Sequence, residues 1–92
     1  PWQLIRDRTG IVIDVCPLTP EGRIDLDAAA AMLTPAHKLV AFAHVSNVLG
    51  SVLDVARAVE LVHGVGAKIL IDGCQAAARL PVDVAALGCD FY

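Results

Sequence analysis

Apolar runs and helix-period stripes alternate along the chain. Residues 2–8 read as the end of a helix, with Gly10 as its stop. Residues 11–15, Ile-Val-Ile-Asp-Val, have the composition of a strand. Pro17, Pro20 and Gly22 punctuate a loop. Residues 25–33 then form a short helix, with acids in the first turn where the helix dipole favours them, and Pro35 ends it. Residues 38–44 read as the next strand. The longest helix covers 54–63, with Asp54 as N-cap and Val55, Val59 and Val62 at helical spacing. Gly64 and Gly66 close it, and residues 68–71 are the following strand. One helical turn at 76–79, a short helix at 82–87 and a strand beginning near Cys89 complete the pattern. Strands alternating with helices predict an α/β fold, a mostly parallel sheet with crossover helices.

Composition sharpens this picture. Of the 92 residues, 57% are hydrophobic, and the mean hydropathy is +0.64. Chains of this size bury only about 60–65% of their unfolded surface, so the balance suits strands covered on both faces rather than a free-standing module. The chain opens on Pro1-Trp-Gln and ends on Cys89-Asp-Phe-Tyr92. It therefore reads as residues 1–92 of one domain, a fragment incomplete at both ends. No run of about 18 apolar residues escapes a charge, which argues against a membrane span. The net charge of −3, with lysines and arginines scattered, leaves no basic stripe for nucleic acid. Cysteines at 16, 74 and 89 make no disulfide framework and fit a reducing cytoplasm.

Candidate chemistry gathers at two strand ends. The run Lys68-Ile-Leu-Ile-Asp72 is followed by Gly73, Cys74 and Gln75, and the run from Leu39 to Ala43 by His44, Val45, Ser46 and Asn47. Ligands of open parallel sheets sit beyond the carboxyl ends of strands. Asp72 has two readings: a turn cap before glycine, or an anion that keeps a heterocyclic nitrogen protonated. On the second reading Gln75 and Asn47 offer amide donors to a neighbouring oxygen. Cys74 reads as a small buried side chain, because no cation nearby would lower its pKa. Cys16 and Cys89 read as packing residues, His44 as a structural residue ordering its loop, and His37 and His63 as solvent-facing. No paired Cys or His spacing indicates a metal. No glycine-rich phosphate turn or nucleophile elbow is present.

Several motifs together resemble the cysteine desulfurases of the class V aminotransferase family, which are fold-type I pyridoxal phosphate (PLP) enzymes. They are His44-Val-Ser-Asn-Val-Leu-Gly50, Gly66-Ala-Lys-Ile-Leu-Ile-Asp-Gly-Cys-Gln-Ala76, Pro81-Val-Asp83 and Cys89-Asp-Phe-Tyr92, supported by Pro17-Leu-Thr-Pro-Glu-Gly22. Their order and spacing are similar to the SUF-type group, which includes selenocysteine lyases, and the resemblance spans essentially the whole chain. It implies the PLP-binding large domain, with Asp72 on the pyridine nitrogen, Gln75 on the phenolic oxygen and Asn47 near that oxygen. It also implies cysteine or selenocysteine as substrate, a sulfur-acceptor protein as partner, iron–sulfur cluster assembly as the destination, and a homodimer. The family's Schiff-base lysine lies in a Ser-x-His-Lys motif expected beyond Tyr92, and its persulfide cysteine is also absent. Lys38 and Lys68 begin strands at the end opposite the site. No catalytic residue is therefore assigned within the chain, and it is expected to be inactive alone. The rivals are another class V lyase or epimerase, or a non-catalytic truncated remnant.

Overall fold

The computed structural model describes residues 1–92 as an α/β unit built on a parallel strand pair. In chain order the elements are α1 (Trp2–Thr9), α2 (Leu26–Met32), β1 (Leu39–Ala43), α3 (Val55–Gly64), β2 (Lys68–Asp72) and α4 (Val84–Leu87). The strands pair in register from Leu39 with Lys68 to Ala43 with Asp72, and α3 makes the crossover between them. The far edge of β2 receives the C-terminal segment, whose Phe91 bridges Leu70 in parallel. Phe91 donates its N–H to the Ile69 carbonyl at 3.1 Å and accepts from the Ile71 N–H at 2.9 Å. Of the strand predicted near Cys89, this chain forms only this single bridge.

Local chemistry sets the helix limits. Gly10 adopts the left-handed conformation, φ 75°, and returns its N–H to the Arg6 carbonyl, so α1 stops where expected. Asp25 and Asp54 cap α2 and α3 by accepting from the backbone N–H groups of Ala28 and Arg57. Asp83 does the same for α4, bonding Ala85 and Ala86. These carboxylates satisfy amide donors that have no partner inside the helix.

The core lies between the sheet and the helices. Val55, Ala58 and Val62 on α3 meet Ile69 and Ile71 on β2, with Leu26 and Ala29 of α2 and Ala67 completing the cluster. Ala58, Val62, Ile69 and Ile71 are fully buried. Cys16 and Cys89 pack against this cluster, as expected.

One expected strand is missing. Residues 11–15 form no strand: Val12 and Val15 are exposed and no ladder partner reaches them. A β-rich sequence needs a neighbouring strand to satisfy its backbone, and propensity alone does not supply one. Within this chain the sheet is covered on one face. β1 alternates between exposed and half-buried, with Val40 and Phe42 facing the core and Leu39, Ala41 and Ala43 exposed. Only 10 of the 92 residues are buried, so the high apolar content goes largely into uncovered surface. Trp2, Leu4 and Ile5 of α1 belong to that surface.

Candidate functional site at the carboxyl edge of the strand pair

The register of the pair places the ends of β1 and β2 side by side, Ala43 opposite Asp72. A backbone bond extends the ladder one step further, from the His44 N–H to the Asp72 carbonyl at 2.9 Å. Beyond this edge lies a hollow of about 180 Å³, lined by Ala43, Val45, Asn47, Asp72, Cys74 and Gln75. The three residues singled out as binding candidates, Asp72, Gln75 and Asn47, are thus brought to one hollow.

Asp72 projects at its mouth. Its Oδ1 accepts the backbone N–H of Cys74 at 3.0 Å, and no N–H of the chain reaches its second oxygen. That backbone bond, followed by the Cys74 thiol, lowers the Asp72 pKa below the usual carboxylate value. The aspartate caps its turn and remains an anion.

Gln75 is half-buried, and its side-chain oxygen accepts from Arg79 Nη1 at 2.6 Å. The same guanidinium nitrogen also bonds the Gln75 carbonyl at 2.9 Å. With its oxygen occupied, the amide has its NH₂ group left to offer. Asn47 sits in a turn held by Ser46, whose Oγ accepts from Leu49 N–H at 3.0 Å and from Val48 N–H at 3.3 Å. A Val45–Val52 bridge closes the base of that loop. The Asn47 amide is exposed and makes no hydrogen bond within the chain. It retains its full donor and acceptor capacity.

Cys74 corrects the sequence reading. It is exposed and lines the hollow instead of packing inside, because the chain leaves the sheet at Gly73 before turning back. The neighbouring Asp72, by hydrogen bond and then by charge, raises its thiol pKa, so the side chain stays a protonated thiol at neutral pH. His37 also departs from expectation: it is half-buried, with Nε2 3.0 Å from Asp14 Oδ2. His63 is exposed as expected, but its Nε2 lies 2.9 Å from Asp90 Oδ2. His44 is buried and orders its surroundings, as expected.

A larger hollow of about 390 Å³ adjoins the other side of Asn47, between residues 18–27 and 43–57. Its carboxylates are already engaged. Asp25 and Asp54 cap helices, and Asp27 pairs with Arg57. The smaller hollow sets the Asp72 carboxylate beside the side chains of both Gln75 and Asn47, so it is the better candidate for a cationic heterocycle.

The lysines lie at the opposite edge. Lys68 opens β2, about 13 Å of extended chain from Asp72. Its Nζ is bound to Asp90 Oδ1 at 2.7 Å. Lys38 precedes β1 and donates to the Pro35 carbonyl at 2.8 Å. Asp90 also accepts the Ile69 N–H at 2.9 Å and anchors the C-terminal segment to β2. Sequence reasoning missed both Asp90 and Arg79. The Gln75–Arg79 spacing of four is the signal that could have found the latter.

Comparison with known proteins agrees with this architecture. The aminotransferase class-V family profile matches residues 1–92. A probable cysteine desulfurase of Mycolicibacterium paratuberculosis is 48% identical over all 92 residues, which are 13% of its own length. A cysteine desulfurase of Klebsiella pneumoniae is 47% identical, with the chain covering 23% of its length. The crystal structure of the cysteine desulfurase CsdA from Escherichia coli superposes with a TM-score of 0.93 at 34% identity, covering 99% of this chain and 23% of that one. The chain thus spans less than a quarter of these relatives, and over that span it belongs to the class V aminotransferase family.

Proposed function

We propose that this chain is part of the large domain of a PLP-dependent cysteine desulfurase and supplies the groups that hold the cofactor ring. The parent takes sulfur from cysteine or selenium from selenocysteine, leaves alanine, and passes sulfur as a persulfide to an acceptor protein for iron–sulfur cluster assembly. It works in the cytoplasm as a homodimer. The observation that carries this reading is the Asp72 carboxylate in a hollow shared with the amides of Gln75 and Asn47.

This donor set fits the ring of PLP: a carboxylate for the pyridine nitrogen and amide N–H groups for the phenolic oxygen. When bound, PLP supplies an electron sink for carbanion chemistry at the substrate. Asp72 holds the proton on the ring nitrogen, since a carboxylate below its usual pKa stabilises a cationic partner. Gln75 donates from Nε2, the orientation set by Arg79 on its oxygen. Asn47 donates from the neighbouring strand end. Asp72 raises the Cys74 thiol pKa, which disfavours the thiolate that a sulfur carrier needs. Both lysines are engaged at the far edge, so the covalent anchor for the cofactor belongs to another part of the parent, as does the persulfide cysteine.

The test is to express the chain with the remainder of its reading frame and measure alanine released from cysteine. Asp72→Ala is expected to cut turnover by orders of magnitude and to weaken PLP retention. Near-normal activity in that variant would sink the assignment. Turnover of a different amino acid without alanine release would favour a class V lyase or epimerase. A parent that neither retains PLP nor reacts would be a non-catalytic remnant.

A further inference from the structure

The two strand ends share a third component. The Tyr92 ring lies directly on Gly73: a Cβ at that position would overlap the ring atoms Cε1 and Cζ and the hydroxyl. The hydroxyl is 3.0 Å from His44 Nδ1, and the two rings meet edge to face at 87°, their centroids 6.0 Å apart. His44 is the buried polar residue of the fold. Its N–H donates to the Asp72 carbonyl at 2.9 Å, and its carbonyl accepts the Leu53 N–H at 2.8 Å. One histidine therefore ties the end of β2, the far limb of the Asn47 loop and Tyr92 together.

The position of Gly73 gives this arrangement a functional side. Gly73 separates Asp72 from Cys74, whose N–H holds Asp72 Oδ1. A ring pressed on Gly73 limits the rotation of that turn and keeps the Cys74 amide aimed at the carboxylate. We propose that His44 and Tyr92 are a positioning pair: the phenol–imidazole contact fixes the Asp72 carboxylate relative to Asn47, and so fixes the seat of a planar cationic heterocycle. Neither side chain lines the hollow, so both act through Asp72 and its turn. This inference rests on the ring-binding reading above.

The test uses the parent protein loaded with PLP. Tyr92→Phe keeps the ring on Gly73 and removes the hydroxyl, His44→Gln keeps a hydrogen-bonding side chain, and His44→Ala removes it. The readouts are PLP affinity, the pH midpoint of the cofactor's visible absorption, and apoprotein melting temperature. Loss of a single hydrogen bond predicts PLP affinity about 2- to 12-fold weaker in Tyr92→Phe. The absorption midpoint should move, the apoprotein melting temperature should fall by no more than the loss of one hydrogen bond explains, and His44→Gln should retain more affinity than His44→Ala. Wild-type PLP affinity and absorption midpoint in Tyr92→Phe would overturn the proposal, as would losses that merely track apoprotein melting. Asp72→Ala separates the two levels. If it too leaves PLP affinity intact, the ring-binding reading itself fails. If it weakens binding while Tyr92→Phe does not, only the positioning role falls.

Discussion

Ile71 is the residue whose truncation should cost this fold most. It is fully buried, belongs to the cluster that joins β2 to α3, and immediately precedes Asp72. Its backbone N–H also bonds the Phe91 carbonyl at 2.9 Å, so a shift of Ile71 moves the C-terminal segment as well. Ile71→Ala removes three carbon atoms from a site closed on all sides. The transfer and cavity contributions together come to about 2–5 kcal/mol, against about 0.5–1.5 kcal/mol for Ile71→Val. At a urea dependence of about 2 kcal/mol per molar a loss of about 3 kcal/mol lowers the unfolding midpoint by roughly 1.5 M, and by proportionally less in a longer chain with a steeper slope. The assay is urea unfolding followed by circular dichroism, with the parent protein and both variants under one buffer. The slope should be preserved and the midpoints should fall in the order wild type, valine, alanine. An alanine variant within about 0.3 M of wild type would refute the packing described here, because a closed site cannot lose three carbons at so small a cost.

Three further outcomes follow from the hydrogen-bond network. Asp25→Ala, which removes the cap of α2, should destabilise by about 1 kcal/mol in the same assay. Arg79→Ala should free the Gln75 amide to rotate and weaken PLP retention by less than Asp72→Ala does, measured by cofactor release on dilution; retention equal to wild type would show that Arg79 does not orient Gln75. The Asp90 carboxyl is held far below the usual carboxylate range by Lys68, His63 and the Ile69 amide. Its folded-state pKa is lower than its unfolded one, so its contribution is complete above the unfolded value, about 3.9, and is lost as pH falls from there toward the folded value. Asp90→Asn should therefore flatten the acid limb of stability against pH, and an acid limb identical to wild type would contradict the ion cluster.

Much of this was legible in the sequence because the relevant signals are local. Gly10 and Asp54 act through atoms within a turn of themselves and mark helix limits where they were expected, while Asp25, read as an acid of the first turn, is the cap itself. Asp72, Gln75 and Asn47 were legible because strand ends are recognisable, and a parallel register brings two of them together. What failed depended on distant partners. The segment around Val12 has strand composition but no neighbour to pair with. Asp90 gathers groups from α3 and β2 that lie 21 to 27 positions away. Cys74 is exposed because of the path the chain takes after Gly73, which composition does not specify.

The two edges of the strand pair carry separate duties. Asp90 fastens the amino edge with Lys68 and His63, while Asp72 and its neighbours occupy the carboxyl edge about 13 Å of strand away. The two edges are linked through the chain itself, because the segment that Asp90 fastens to β2 runs on to Tyr92, whose ring lies on Gly73 beside Asp72. Groups that share such an element do not act additively. A substitution in the Asp90 cluster should therefore be felt at the carboxyl edge, so that durability and local geometry are inherited together.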